Sequence, residues 1–556
     1  MRDLFVIEAP GKARQLEELL QGLGIEARVQ ATKGHLYEMP KRATPLGIDS
    51  AFRDFERKLI DPEIGQRLRD AVMEAANVFV ATDADQEGDV IAWDVAELIS
   101  DINPNPLRIR LRGMDPESIR AAIDGATLVS KKDAVPGRTR AIVDRMIGGV
   151  FSNNGVAVGR IGSALLGVIQ NDAPATRKVL LVAPSKDNGR PWTAECPVKD
   201  PISASVAKKL VEVRFPPLDV ESRANSTPTA PNNMGQIMVR AGDELDMSPA
   251  EASQSLQKLY EAGRMSYPRA GSKGISKSIM RKIARELKKA GYAFDEDRTP
   301  DKKESDVHDA PYPIGTVQAQ QDPVRQGHEE GLRTLVARDL IKTGQTHVVE
   351  KGVGATAAAH LRAKGFAQDV CEFVGRLNWR REAGPRYPGQ ESWPKSRVWS
   401  RRPDTVLLEA AVEKGLGRPS TWSNHITKFM ERQLVDDDLQ LTAKGREWIA
   451  RTPPILLNPQ ISAAIEQACE RAVAGMMEDP DREPWEILSE KIVSVLPPEV
   501  SGPLFAAVDA EPPRPKTDPL APYASKEPEP ETIGLDEILE KTNDYNYGPA
   551  MFEMPQ

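Results

Sequence analysis

Two acidic sites stand directly behind short apolar runs in the first hundred residues. Glu8 follows Val6-Ile7 and precedes Ala9-Pro10-Gly11-Lys12. Asp83, Asp85 and Glu87 follow Val78-Phe79-Val80-Ala81, in the run Thr82-Asp83-Ala84-Asp85-Gln86-Glu87-Gly88. Apolar runs of this length read as buried strands of a parallel sheet, and ligands in such sheets bind beyond the carboxyl ends of the strands. Both sites therefore converge. Three carboxylates within five residues raise one another's pKa unless a cation neutralises them. Hard oxygen ligands with little nitrogen or sulfur nearby favour Mg²⁺. The plainer reading is a solvated acidic turn capping the next helix, where carboxylates suit the positive helix end. The strand before it, the glycine after it and the matching Glu8 site favour the metal.

The elements that must position these groups alternate strand and helix over residues 1–135. Leu4–Ile7 and Val78–Ala81 read as strands; Lys12 to Leu23, Ile64–Ala76 and Val90–Ile99 read as helices. That is the βα pattern of a parallel sheet. Residues 136–190 read as mainly helical, while 191–225 and 345–405 mix short strand-like runs with Pro and Gly. In 226–325, Ser248-Pro249-Ala250-Glu251 is a capping box with Pro at the first helical position, and Gly263 ends that helix. Residues 404–450 read as helix, turn, helix, short hairpin, helix. From Ser501 the chain is rich in Pro and acid, the composition of a disordered tail, with one short helix at Leu535–Lys541.

At 556 residues the chain holds several domains. Its composition, 40% hydrophobic and 28% charged, is that of a soluble globular protein. No apolar run nears the roughly 18 residues of a membrane span, and the start is unlike a signal peptide. Three widely spaced cysteines argue against a disulfide framework or a four-cysteine zinc ribbon and fit a reducing cytoplasm. The net charge of −8 lies mostly in the tail, where residues from Ser501 onward carry 11 acidic and 4 basic groups. A near-neutral body still admits a local basic groove.

The segments around the acids resemble a known family. Val6–Ala13, Lys33-Gly34-His35-Leu36-Tyr37-Glu38-Met39-Pro40 and Ala81–Trp93 are similar, in order and spacing, to the Toprim domain of type IA DNA topoisomerases. Leu259-Tyr260-Glu261-Ala262-Gly263-Arg264-Met265-Ser266-Tyr267-Pro268-Arg269 resembles that family's catalytic segment. The resemblance implies that Tyr267 is the nucleophile, with Glu8, Lys12, Arg269 and His308 catalytic beside it. It implies that Glu8, Asp83, Asp85 and Glu87 bind Mg²⁺. Local chemistry agrees: Pro268 biases Tyr267 toward extended backbone, and a guanidinium two residues on favours phenolate character and grips a phosphate. Thr139–Gly148, Val158–Leu165, His308–Ile314 and Glu413–Trp422 resemble further family elements. These imply DNA contacts from Arg140, Asp144, Arg145, Arg160, Ser163, Arg418, Ser420 and Thr421, with Ser420 as a helix N-cap.

The implied architecture is α/β and α+β multidomain, a Rossmann-like Toprim domain with helical and β domains closing a toroidal core. Its domains are Toprim at 1–135, a helical DNA-binding domain at 136–190 and 406–500, and a β-rich gate or hinge at 191–225 and 326–405. A tyrosine domain at 226–325 and the acidic tail at 501–556 complete it. The implied reaction is ATP-independent, Mg²⁺-dependent cleavage of one DNA strand through a 5′-phosphotyrosyl ester, then strand passage and religation. It relaxes negatively supercoiled DNA. Consistently, no G-x-x-x-x-G-K-[ST] loop is present. The implied partner of this cytoplasmic, nucleoid-associated monomer is a single-stranded region of supercoiled DNA, without membrane or nucleoside triphosphate. The tail either solubilises the chain or binds a partner. Several positions depart from the pattern: Ala84 and Gln86 replace Pro and Arg, Gly162 replaces Gln, Asn232-Asn233 replaces Leu-Gln, and Asp-Ala-Pro-Tyr-Pro follows His308. Cysteine-rich C-terminal fingers are missing, as in a divergent, minimal member. Another Toprim enzyme, a nuclease or primase, and a non-catalytic DNA clamp are the competing readings.

Overall fold

A computed structural model describes residues 2–510 apart from 112, 154, 187–188, 304–307, 318, 383–392 and 472–481. The strand Arg2–Ile7 is the second of a five-stranded sheet whose central strand is Ala75–Val80. It pairs in parallel with Ala27–Ala31 on one side and Ala75–Val80 on the other. Leu107–Arg108 continues the sheet in parallel, and Thr127–Leu128 closes the edge antiparallel. The chain thus builds outward in one direction and then the other from its first strand. Such a reversal opens a crevice at the strands' carboxyl ends. Glu8 and Asp83 lie there. Helices Ala13–Gly22, Pro62–Met73, Gln86–Ile99 and Pro116–Asp124 flank the sheet, and separate apolar clusters fill its two faces. The helix expected at Ile64 starts at Pro62, because Asp61 caps it and Pro suits the first turn.

The largest apolar core joins helices from distant parts of the chain: Lys131–Phe151, Arg160–Asp172, Met234–Leu245, Pro249–Glu261 and those between Pro403 and Asp509. A six-stranded antiparallel sheet draws its strands from 177–225 and 348–400. Here the structure corrects three expectations. Arg177–Ala183 is a strand of that sheet, inside a stretch read as mainly helical. Val179–Ala183 is an unbroken apolar run, which periodicity cannot tell from a buried helix segment, although its burial alternates in the sheet. His328–Thr343 is a helix packed on Met234–Leu245 and Pro249–Glu261, within the stretch given to the β-rich domain. Pro498–Asp509 is helical too, beyond Ser501, because Val500, Leu504 and Val508 are buried on one face. The rest of the tail, with Leu535–Lys541, lies outside the described residues. All three cysteines are buried and free, and no helix among the described residues is long and apolar enough to cross a membrane.

The helix Pro249–Glu261 opens with the expected reciprocal box of Ser248 and Glu251. It ends where Gly263 takes φ +67°, turning the chain through backbone bonds to Tyr260 and Leu259. From there an irregular segment carries Tyr267 into the apolar cluster that also holds Phe5, Phe79 and Leu107 of the first sheet. A Cβ on Gly263 would lie 2.8 Å from the Met114 carbonyl oxygen. Gly263→Ala is therefore expected to cost about 1–2 kcal/mol for the left-handed backbone alone, with the clash in addition. Thermal melting checks this, and an unchanged midpoint would refute the account of the turn.

Candidate active site

The acidic loop is built by backbone first. Asp85 is the N-cap of Gln86–Ile99, its Oδ1 accepting from the Gly88 amide at 2.8 Å. The capping reading of this motif is thus physically real, and it leaves Oδ2 for other work. Thr82 Oγ1 donates to the Gly88 carbonyl at 2.7 Å. A Cβ on Gly88 would lie 1.8 Å from the Asp83 carbonyl oxygen, so only glycine permits this close approach. Beneath the loop lies a residue that sequence reasoning missed. Arg108 is 1% exposed and donates to the carbonyls of Thr82 and Asp83, both at 2.8 Å, and to Asp89 at 3.0 Å. The sequence hid it: Leu107-Arg108-Ile109-Arg110-Leu111 alternates like a half-solvated strand, which puts Arg108 on the polar face.

Charge is then distributed across the loop. Lys12, 3% exposed, donates to Asp83 Oδ1 at 2.6 Å and lies 4.8 Å from the centre of the Tyr260 ring. Arg269 Nη1 stands 3.6 Å from Asp83 and 3.8 Å from Asp85. Glu8 Oε2 is buried without a hydrogen-bond partner. Burial and the Asp83 charge push the Glu8 carboxyl from its ordinary 4.5 up to about 7, against the pull of Arg269 and Lys12. Glu87 is also raised, by burial and Asp85, and opposed by His35, Arg269 and Arg140.

Tyr267 enters this cluster from the far segment. It is 2% exposed, and its hydroxyl donates to Asp85 Oδ2 at 2.7 Å. Tyr260 stacks edge-on at 5.4 Å and the His308 ring lies 4.7 Å away. His308 Nε2 donates to the Ala84 carbonyl, fastening the segments a second time. Arg269 shares a side with Tyr267, as an extended stretch requires. Phenolate character, however, is not what this arrangement gives. Burial, Asp85 and Asp83 push the Tyr267 phenol well above 10 and outweigh Arg269.

Beside the cluster opens a cavity of about 1130 Å³, lined by Asp85, Glu87, Arg269 and His308 among others. Tyr267, Glu8, Lys12 and Asp83 stand behind its wall. Arg140, Asp144, Arg160, Arg418, Ser420 and Thr421 also line it. Arg160 holds Asp144 through two bonds, at 2.7 and 3.0 Å. Glu466, absent from the sequence-based set, joins three arginines: Arg160 at 2.7 Å, Arg140 at 3.0 Å and Arg418 at 2.9 Å. Burial pushes Glu466 upward, but Arg160, Arg140 and Arg418 outweigh it and hold its carboxyl at about 2. Arg145 is set apart, donating to the carbonyls of Leu46 and Pro45. Ser163 is buried away from the cavity with an unpartnered hydroxyl. Ser420 is not a helix cap: Trp422–Glu431 starts after Thr421, whose hydroxyl accepts from the Arg418 amide at 3.2 Å instead. Arg140 also donates to Gln86 at 2.9 Å, so a cation reaches the loop from another helix.

The donor set fits a divalent cation by charge, with Glu8 Oε2 unsatisfied and two carboxyls raised by their neighbours. Among the described residues no three His, Cys, Asp or Glu side chains are yet grouped as ligands, since Lys12, Arg269 and Tyr267 occupy Asp83 and Asp85.

A family model described as DNA topoisomerase matches residues 197–365, and one described as Toprim domain matches residues 3–112. The plasmid DNA topoisomerase I of Xylella fastidiosa is 24% identical over 49% of this chain and 44% of its own length. DNA topoisomerase 1 of Aquifex aeolicus is 26% identical, over 49% of this chain and 53% of its own. The chain therefore spans about half the length of these two relatives. DNA topoisomerase 1 of Thermotoga maritima is 25% identical over 78% of this chain and 75% of its own. The solved full-length topoisomerase I of Thermotoga maritima shares the fold, with a TM-score of 0.60 at 17% identity over 88% of this chain and 89% of that one.

Glu8 makes the site's stability depend on pH. Its folded pKa is raised, so ionised Glu8 opposes folding. The penalty is absent below about 4.5, grows as pH rises to about 7 and is constant above. At 1.36 kcal/mol per unit it reaches at most about 3 kcal/mol. With chelator present, Glu8→Gln is expected to raise the unfolding midpoint at pH 8 and to lose that advantage near pH 4.5. The same gain at both pH values would contradict the assigned burial and charge.

Proposed function

We propose, for a chain that belongs to the type IA DNA topoisomerase family, that Tyr267 cleaves and reseals one strand of DNA and so relaxes negative supercoils without ATP. The observation that carries this reading is the 2.7 Å hydrogen bond from Tyr267 to Asp85. It joins a tyrosine to the acidic loop of a Toprim domain, and neither a nuclease nor a primase needs a tyrosine there.

In the proposed reaction the Tyr267 oxygen bonds to a backbone phosphorus of single-stranded DNA while the bond to the 3′ oxygen breaks. Asp85, the acceptor already in place, receives the phenolic proton. Glu8, near half-protonated at neutral pH at about 7, gives a proton to the departing 3′ oxygen and takes it back on resealing. The product is a 5′-phosphotyrosyl ester, and because one ester replaces another no nucleotide is consumed. Lys12 and Arg269 face the negative charge on the phosphate, and His308 positions the tyrosine ring. Glu8, Asp83, Asp85 and Glu87 would hold Mg²⁺, which supplies positive charge beside the phosphate oxygens. Arg140, Arg160 and Arg418, with Asp144, Ser420 and Thr421, would guide the strand through the cavity; Arg145 and Ser163 are assigned supporting roles in the same helical domain. We place the domain divisions as the resemblance implies, with His328–Thr343 moved to the tyrosine domain.

Wild-type protein with Mg²⁺ is expected to relax a negatively supercoiled plasmid and, after rapid denaturation, to yield DNA attached to Tyr267. Tyr267→Phe should abolish both, and Glu8→Gln should slow cleavage by roughly 10²–10⁴-fold. A wild type that relaxes nothing would favour the clamp reading, and full activity in Tyr267→Phe would favour a nuclease-like chemistry.

A further inference from the structure

The helix Lys277–Lys289, which follows the tyrosine segment, carries six basic residues and one acidic residue among thirteen, in a chain of net charge −8. At about 100° per residue, its side chains separate into two arcs. Ile279, Met280, Ile283, Ala284 and Leu287 form one, packed against Phe294 and Leu340. Lys277, Lys288, Arg281 and Arg285 form the core of the other, flanked by Lys289 and Lys282, and all six are exposed. Lys282 pairs with Glu117, Lys288 with Glu296 and Lys289 with Glu286. Lys277, Arg281 and Arg285 make no hydrogen bond or ion pair among the described residues.

Packing explains the apolar arc and three ion pairs engage Lys282, Lys288 and Lys289, which leaves Lys277, Arg281 and Arg285 without a contact partner among the described residues. Apart from a Coulombic pull between Arg281 and Glu296, these three cations side by side repel each other, an arrangement that gains when an anion surface arrives. From Lys277 to Lys288 the arc is about 16 Å long, and duplex DNA presents one phosphate per roughly 1.7 Å of its axis. The arc has no aromatic side chain on which an unpaired base could stack, the feature that single-strand sites use. It also lies close to the site. Ser272 lines the cavity, and the five residues to Lys277 span less than about 18 Å.

We propose that this arc is a second nucleic-acid site, binding the backbone of duplex DNA next to the single-stranded segment held in the cavity. The inference rests on the proposed function only for its choice of DNA as the polyanion. By holding the flanking duplex, the arc would keep the enzyme on the plasmid between cleavage cycles.

The test is the salt dependence of binding to a labelled 30-base-pair duplex, followed by fluorescence anisotropy, for wild type and K277A/R281A/R285A. If each residue neutralises one phosphate, the slope of log K against log salt should fall in magnitude by about 2.7 in the triple variant. K277R/R281K/R285K should keep the wild-type slope. Cleavage of a single-stranded oligonucleotide and the melting midpoint should stay unchanged. Equal slopes for wild type and triple alanine overturn the proposal. So does an equal loss of slope on a single-stranded oligonucleotide, or a preference of these residues for polyglutamate over duplex. If wild type forms no tyrosine-linked DNA, the cleavage reading fails, and the duplex slopes still decide this one.

Discussion

The hydrogen bond between Tyr267 and Asp85 closes the molecule at its chemical centre, across 182 residues of sequence. It forms because Asp85 has two oxygens with different duties. One caps a helix, fixed by the Gly88 amide; the other projects toward the segment behind Gly263. The sheet's reversal beside its first strand puts Glu8 and Asp83 at the same place, and Arg108 grips the loop from below. Fixing the loop in this way brings carboxylates together faster than cations. Lys12 and Arg269 answer part of that charge, and the remainder appears in the raised carboxyls of Glu8 and Glu87.

The same closure explains why the tyrosine is held at rest. A buried phenol bonded to a carboxylate keeps its proton, and burial with two aspartates raises it further. A reactive arrangement needs Arg269 to turn from Asp83 and Asp85 toward a phosphate. The cavity reaches Arg269 and Asp85 and stops short of Tyr267. An incoming phosphate would therefore meet the arginine and the acidic loop first, and the Tyr267–Asp85 contact is the path by which the phenolic proton then leaves.

Much of the site was legible in the sequence because its parts are local. A strand that ends in an acid, a glycine after three carboxylates, and a capping box before a tyrosine each leave a pattern within a dozen residues. What escaped depends on distant partners. Arg108 looks like an edge-strand charge until the loop folds over it, and Glu466 looks like one acid on a helical surface. Only packing of the helices Lys131–Phe151, Arg160–Asp172 and Pro459–Arg471, with the turn before Trp422–Glu431, surrounds it with Arg140, Arg160 and Arg418. The strand at Arg177–Ala183 was missed for a related reason, since its sheet partners come from 192–197 and 397–400. Ser420 misled because a serine before a helical pattern is a good cap in isolation, whereas Thr421 and Arg418 fix that turn by their own bond.

Gln86 shows how a lost charge can be recovered from elsewhere in a fold. The resembling family usually carries an arginine at this position, on the loop itself. Here the side chain is a neutral amide that accepts from Arg140, and Arg140 in turn is held by Glu466. The cation beside Glu87 is thus anchored on the helical wall of the cavity instead of on the acidic loop. A loop-borne arginine moves with the carboxylates it serves. One anchored on the opposite wall depends on the distance between the two, so electrostatic relief of Glu87 becomes coupled to how closely the loop and the helices approach. Glu466 completes that coupling: it ties Arg140 to Arg160 and Arg418, so any anion that draws one guanidinium away alters the hold on the others. Strand entry into the cavity and the charge state of the acidic loop are, on this geometry, parts of one network.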